Sequence, residues 1–215
     1  MDFISNMLQS LLNILLDCTG DLGIAIVIIT LLVKVFLMPL SIKQKISMKN
    51  QQILGEKINK LKEKYKNNPK KLESELKKYS KDSLKGMLGC TTLLLQMPII
   101  YSLYHTFVKM PYGYSTILVP WINNLNLPDN LFIIPCIYTL IVLAPNLINY
   151  IPYFKAVSKT SPNKEMILTT VIISVLLTLR TPVALGIYFI TSSLYSFVED
   201  ILFKTYIIHK NEAIE

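Results

Sequence analysis

The sequence has little charge and almost no arginine for a chain of its length. Only 17% of its 215 residues are Asp, Glu, Lys or Arg, whereas a soluble domain contains about 25%. Hydrophobic residues make up 52%, and the mean hydropathy is +0.43. This composition argues against a water-soluble single-core globule, a disordered chain and a collagen-like chain. Arg180 is the one arginine among 22 basic residues, and the net charge is +8.

Residues that usually carry catalysis or bind metals are also scarce. The three cysteines, Cys18, Cys90 and Cys136, show no metal-ligand spacing and no C-x-x-C pair. His105 and His209 are far apart. The sequence contains no G-x-S-x-G, H-E-x-x-H or Walker A motif. We therefore predict no catalytic residue, no metal site and no cofactor, and we interpret these cysteines and histidines as isolated packing or interface residues.

Long apolar runs are what the sequence does contain. A helix needs about 20 mostly apolar residues to cross a bilayer. Five candidate segments, the fourth of them short, are 22–42, 87–108, 131–151, 166–179 and 183–203. Prolines inside such segments are tolerated because neighbouring helices satisfy the freed carbonyl groups. We predict an all-α membrane protein with five transmembrane helices.

The distribution of lysine predicts the orientation in the membrane. Residues 43–86 hold 14 Lys against five acidic residues, and residues 152–165 carry three more Lys. Residues 1–21 contain no Lys or Arg. Because loops rich in Lys and Arg stay on the cytoplasmic side, we predict that these two loops and the C-terminus are cytoplasmic. The N-terminus is then expected outside a cell membrane.

Two segments outside the predicted spans have helical patterns. Apolar residues recur every three to four positions in residues 1–17, which predicts an amphipathic helix on the outer membrane surface. Residues 43–86 predict a Lys-rich helical hairpin with a break before Pro69. The predicted organisation is an external helix 1–17, transmembrane helix 1 at 18–42, the hairpin at 43–86, transmembrane helices 2–5 at 87–205 and a cytoplasmic tail at 206–215.

Lys34 lies inside the first predicted span. It precedes Lys43 by nine residues, so it lies about 13 Å from the cytoplasmic boundary at a rise of 1.5 Å per residue. Insertion scales assign a cost of about 2.5–3.5 kcal/mol to a lysine at mid-span. No Asp or Glu falls within the core of another predicted span. A snorkelling or paired lysine is the alternative, but the pattern favours a functional cation.

Polar residues reach a similar depth in every predicted span. Each alone would make an ordinary hydrogen bond between helices. Together with a buried cation they predict a hydrated cavity that opens to the cytoplasm. These residues are Thr30, Gln96, Asn146, Ser174, Thr191 and Ser196.

Three stretches carry motifs in a fixed order. They are G-I-A-I-V-I-I-T-L-L-V-K-V-F-L-M-P-L at 23–40, G-C-T-T-L-L-L-Q-M-P-I-I-Y-S-L-Y at 89–104 and T-P-V-A-L-G-I-Y-F-I-T-S-S-L-Y-S at 181–196. In this order and spacing they resemble the YidC/Oxa/Alb family of membrane-protein insertases, in its compact Gram-positive type. The chain departs from the family pattern at Lys34, where arginine is usual, and at Phe189, where Trp or Tyr is frequent.

The resemblance implies a non-enzymatic insertase and chaperone of the bacterial cell membrane. Such a protein captures hydrophilic, often acidic, segments of nascent membrane proteins in a positively charged groove and releases their apolar spans into lipid. The implied partners are nascent membrane proteins, with the ribosome, signal-recognition machinery, the Sec channel and anionic lipids as further candidates. Sequence-specific nucleic-acid binding is not expected. The implied groove residues are Lys34, Thr30, Gln96, Asn146, Ser174, Tyr188, Phe189 and Thr191.

Two other functions fit the same residues. A small anion transporter or channel would also use Lys34, but it predicts solute flux and an inverted repeat, which the sequence does not show. A membrane scaffold would dock ribosomes or lipids through residues 43–86. The scaffold predicts that loss of this segment abolishes activity, whereas substitution of Lys34 has no effect.

Overall fold

The computed structural model describes residues 2–66, 71–72, 75–76, 97, 99–105, 115–148 and 164–212. Over these residues the regular secondary structure is helical, with no strand, which confirms the predicted all-α class. The helices are α1 (Asp2–Thr19), α2 (Leu22–Lys64), α3 (Ile133–Ile148), α4 (Lys164–Thr178) and α5 (Val183–Glu212). Residues 99–105 are also helical.

The chain divides into two compact units. One comprises Met1–Val35 and Ile100–Glu215, and the other comprises Phe36–Ile99. In the second unit α2 continues past Pro39 to Lys64 without a break, so the predicted boundary at residue 42 falls inside a helix. The predicted break at residues 67–69 lies outside the described residues. Of the second arm of the hairpin, residues 71–72 and 75–76 are described, and they are helical.

The first helix has two different faces. Leu8 and Leu12 are buried, whereas Met7, Leu11 and Ile14 are exposed. The helix ends at Thr19, two residues later than predicted, and Gly20 follows with a φ of 68°. Glycine adopts this left-handed conformation without steric cost and is therefore frequent after the last residue of a helix. The turn at Gly20 leads directly into α2.

Asp21 caps the start of α2 and connects it to residues 115–132, which we call the helix-cap loop. Its Oδ1 accepts hydrogen bonds from Ile24 N at 3.0 Å and from Thr116 Oγ1 at 2.6 Å, and its Oδ2 accepts one from Ile117 N at 2.8 Å. Acidic residues are favoured at this position because the first N–H groups of a helix have no partner within it.

The helix-cap loop also caps α3 and α5. Asp129 accepts hydrogen bonds from Ile134 N at 2.8 Å, Leu131 N at 3.0 Å and Trp121 Nε1 at 3.3 Å. The first N–H groups of α5 donate to the loop, Val183 N to Leu127 O and Ala184 N to Leu125 O, each at 3.0 Å. The N-termini of α2, α3 and α5 therefore meet at the same loop, and the three helices begin at the same end of their unit.

The first turns of these helices form a tightly packed core. Leu22, Ala25, Ile26 and Ile29 of α2 are buried, as are residues 183–189 of α5. Two glycines allow close approach, because a Cβ added at Gly23 would overlap the Thr116 side chain and one at Gly186 would overlap the Ile134 side chain. The α3 helix packs against both α4 and α5. Only residues 179–182 separate α4 from α5.

Apolar side chains face outward over much of the described surface. Phe36 on α2 is 83% exposed, and Leu32, Leu176 and Leu202 are also exposed. Large exposed apolar side chains therefore lie on α2, α4 and α5. By length and composition, Leu22–Lys64 and Val183–Ile207 could each cross a membrane, and Ile133–Ile148 and Ile167–Thr178 are shorter apolar helices.

Candidate functional site

Lys34 connects α2 to α5. Its Nζ donates a hydrogen bond to Ser196 Oγ at 3.1 Å. Ser196 in turn donates its hydroxyl hydrogen to Ser192 O at 2.9 Å, so the oxygen lone pairs of Ser196 remain to accept the lysine. Lys34 is half-buried. The amine is thus held at the face of α5 rather than extended along α2.

Two predicted groove residues on these helices are buried threonines. Thr30 lies one helical turn before Lys34, and its hydroxyl donates to Ile26 O at 2.6 Å. Thr191 of α5 donates to Ile187 O at 2.8 Å. Because each hydroxyl hydrogen is used within its own helix, these residues can offer a further partner only their oxygen lone pairs.

A second polar contact joins α3 and α4. Ser174 is buried, and its Oγ lies 3.1 Å from Thr139 Oγ1. A cavity of about 420 Å³ lies beside this pair and is lined in part by Tyr138, Thr169 and Thr170. Asn146, also a predicted groove residue, is half-buried on α3. The predicted polar residues therefore take part in separate contacts, one between α2 and α5 and one between α3 and α4.

The two predicted aromatic residues form part of the packed core. Tyr188 and Phe189 are buried on α5. The Phe189 ring centroid lies 5.6 Å from that of Tyr138 and 5.7 Å from that of Tyr188, both in tilted arrangements. Such geometry is typical of stabilising aromatic pairs. Phe189 therefore joins α5 to α3, in agreement with the contact between these helices.

Gln96, the remaining predicted groove residue, lies outside the described residues.

Two contacts depend on residues that were not among the predicted groove set, Ser196 and Thr139. Ser196 was visible in the sequence as a polar residue in the fifth predicted span. The partner of Lys34 was not visible, because the rotation of one helix against another depends on packing.

An apolar recess of about 580 Å³ opens beside these polar contacts. It is formed by α2, α3, α5 and the helix-cap loop. Its walls are almost entirely hydrocarbon, and its volume lies in the range of about 300–1,000 Å³ found for ligand pockets. The lining includes Val27, Leu31, Trp121, Ile137, Ile187 and Leu194.

Comparison with known proteins identifies the family. Residues 14–211 match the family model of the 60Kd inner membrane protein. The chain belongs to the YidC/Oxa/Alb family. Among its relatives, a membrane protein insertase YidC of Clostridium perfringens is 42% identical over 115 residues, which cover 52% of this chain and 47% of that protein. A YidC insertase of Fusobacterium nucleatum is 28% identical over 206 residues, which cover 93% of this chain and 96% of that protein.

A solved structure of this YidC/Oxa/Alb family has the same fold. A crystal structure of an active YidC insertase, with its first transmembrane domain resolved, aligns with a TM-score of 0.67 at 26% identity. The alignment covers 92% of this chain and 45% of that chain. The chain thus spans about half the length of this protein and of the Clostridium relative. The resemblance inferred from the sequence is confirmed at the level of the family and the helical fold.

Proposed function

We propose that the chain is a membrane-protein insertase and chaperone that binds acidic segments of nascent membrane proteins at Lys34. Membership of a bacterial inner-membrane family and relatives named YidC insertases support this activity. The observation that carries the site is the amine of Lys34, held at Ser196 between two apolar helices. Binding and release of a polypeptide break no covalent bond, so the activity is not enzymatic.

The charge of Lys34 would act by attraction. Two opposite unit charges 4 Å apart gain about 4 kcal/mol at an effective dielectric constant near 20. This gain offsets part of the cost of bringing a hydrophilic segment into the membrane. Neutral polar side chains would line the path of the substrate segment through the proposed groove. They are Thr30, Thr191, Gln96, Asn146 and Ser174.

The apolar recess provides a route for the rest of the substrate. Its walls come from α2, α3 and α5, which correspond to the first, third and fifth predicted spans. A transmembrane segment that follows its tail would contact this surface and then enter lipid, where burial of its apolar side chains favours release. Partition into lipid, with a contribution from the membrane potential, would then drive insertion.

Five spans with the N-terminus outside and the C-terminus in the cytoplasm complete the proposal. The helices α2, α3 and α5 start at the same loop, and the short turn at 179–182 reverses the chain between α4 and α5. These directions agree with spans that alternate across a bilayer. The helix-cap loop would then lie outside, and the Lys-rich segment 43–86 would face cytoplasmic partners: anionic lipids, the ribosome, signal-recognition machinery and the Sec channel.

Substitution of Lys34 tests the proposal. In vesicles that contain the purified full chain, Lys34→Ala or Lys34→Glu should lower insertion of a substrate with an acidic tail by about tenfold or more, because the attraction is lost. Lys34→Arg should retain insertion, since the charge is kept. Insertion is measured as protection of the substrate from added protease.

The control is Lys43→Ala, which removes an exposed lysine nine residues further along α2. It should change insertion by less than about twofold, because exposed charges are screened by salt. Equal insertion by Lys34→Ala and the unmodified protein would contradict the proposed site. Flux of small anions through the same vesicles, abolished by Lys34→Ala, would instead favour a channel.

A further inference from the structure

A buried carboxylate, that of Glu199, lies on α5 close to the residue that holds Lys34. Glu199 is 6% exposed and lies on α5, three residues after Ser196. Residues three apart on a helix share a face, with Cβ atoms about 5–6 Å apart. Because Lys34 Nζ contacts Ser196 Oγ at 3.1 Å, the Glu199 side chain starts within one helical turn of the residue that holds the ammonium.

The face of α5 that carries Glu199 is buried along its length. Tyr188 and Ser192 are buried on the same helix, and at 3.6 residues per turn the three side chains project within about 40° of one another. The Glu199 side chain therefore points into its unit rather than outward. A buried carboxylate is costly unless a cation lies nearby, and Lys34 reaches α5 at Ser196, within one helical turn of Glu199.

The adjacent residue, Asp200, provides a matched contrast. Its Oδ2 pairs with Lys204 Nζ at 2.8 Å within α5, and its side chain is 26% exposed. Asp200 is the fourth residue after Ser196, so it too lies within one helical turn of that serine. The two acids differ in burial and pairing, because Asp200 is partly exposed and paired with Lys204, whereas Glu199 is buried.

We propose that Glu199 is a specificity-determining residue of the Lys34 site, because its carboxylate offsets the ammonium charge that attracts acidic substrate segments. This inference rests on the proposed function, since it concerns the choice among substrates at the same site. A nearby negative charge weakens the attraction of the ammonium for an acidic segment without abolishing it. The site therefore discriminates less between acidic and neutral segments than a lysine without this neighbour would.

The test compares substrates that are identical except for an acidic, neutral or basic tail. Glu199→Gln keeps the shape of the side chain and removes its charge. In vesicles with the full chain, it should raise the ratio of acidic-tail to neutral-tail insertion by roughly three- to tenfold, and it should lower insertion of the basic tail. Asp200→Asn removes a negative charge that is partly exposed and already paired with Lys204, so it should change the ratio by less than about twofold.

Lys34→Gln separates this inference from the proposed function. If Lys34→Gln leaves insertion of all three substrates unchanged, the proposed function fails. If Lys34→Gln lowers insertion of the acidic tail but Glu199→Gln leaves the ratio unaltered, the inference about Glu199 fails and the proposed site stands. A ratio that rises equally in Asp200→Asn also overturns the inference, because the effect would then be one of general charge.

A second measurement needs no substituted protein. A carbodiimide couples a carboxylate to an amine that it contacts, and mass spectrometry identifies the linked peptides. The Asp200–Lys204 pair, at 2.8 Å, serves as the positive control. A link between Glu199 and Lys34 is expected beside the control link. Recovery of the control link alone would overturn the inference.

Discussion

The helices α2 and α5 are held together in two different ways along their lengths. At the helix-cap loop, the carboxylates of Asp21 and Asp129 each accept three hydrogen bonds, most of them from backbone N–H groups. Further along, a hydrogen bond between the side chains of Lys34 and Ser196 joins the two helices. Backbone groups are fixed by the helix, whereas a lysine has four rotatable bonds and can change partner.

These two kinds of contact suit two different roles, one in the stability of the protein and one in substrate binding. A buried carboxylate with several hydrogen bonds is costly to replace, because each N–H left without a partner loses about 1–3 kcal/mol. The hydrogen bond from Lys34 to a hydroxyl, by contrast, can be exchanged for one to an anion at little cost, because the lysine remains a donor. We therefore expect substitutions at the helix-cap loop to change stability and those near Lys34 to change substrate binding.

The largest effect on stability is expected at Asp21. Asp21→Ala leaves Thr116, Ile117 N and Ile24 N without their acceptor and should destabilise the protein by about 2–4 kcal/mol. The measurement is the Tm of the purified protein in detergent. If Asp21→Ala changed the ratio of acidic-tail to neutral-tail insertion and left the Tm unaltered, the assignment of the helix-cap loop to stability would be contradicted.

The pH dependence of the same residue provides an internal check. Burial disfavours the charged form of Asp21, but the hydrogen bonds from Thr116, Ile117, Ile24 and Gly23 outweigh it and hold the pKa below its ordinary value of 3.8. A lowered pKa contributes stability at neutral pH, and this contribution is lost as the pH falls through the pKa of the folded state. The difference in Tm between the unmodified protein and Asp21→Asn should therefore shrink below about pH 4.

Alanine substitutions at two glycines of α2 should have effects on stability of intermediate size. A Cβ at Gly23 would overlap Thr116, whereas one at Gly55 would meet nothing within 4 Å. Gly23→Ala should lower stability by about 1–3 kcal/mol because the helix-cap loop must shift. Gly55→Ala should be neutral or stabilising by up to about 1 kcal/mol, since alanine favours a helix. Equal Tm values for the two variants would show that the close contact at Thr116 does not matter.

The smallest effect on stability is expected at Ser196, where substitution should mainly change insertion. Ser196→Ala removes the hydroxyl that holds Lys34 but leaves the charge, so insertion of an acidic-tail substrate should fall by about two- to fivefold, with the Tm nearly unchanged. Ser196→Thr keeps the hydroxyl and serves as the matched control. A loss as large as that of Lys34→Ala would show that position of the amine matters as much as its charge.

The sequence was sufficient to predict the helical class and the family. Hydropathy and the lysine distribution depend on residues close together in the chain, and these signals are strong in a membrane protein. The contacts of Asp21 were not predictable, because Thr116 is 95 positions away and its approach depends on the absence of a side chain at Gly23. Glu199 was not among the predicted residues, because its burial became visible only in the packed structure.

The hydrogen bonds of the helix-cap loop have a consequence for the proton gradient across the membrane. Proton transfer along a chain of water molecules requires groups with spare hydrogen-bonding capacity, and Asp21, Thr116, Asp129 and several of the first amides of three helices use most of theirs on one another. In the proposed orientation, this hydrogen-bonded loop lies between the exterior and the proposed hydrated groove. A bacterium could then keep an insertion site filled with water on one side without discharging its proton gradient.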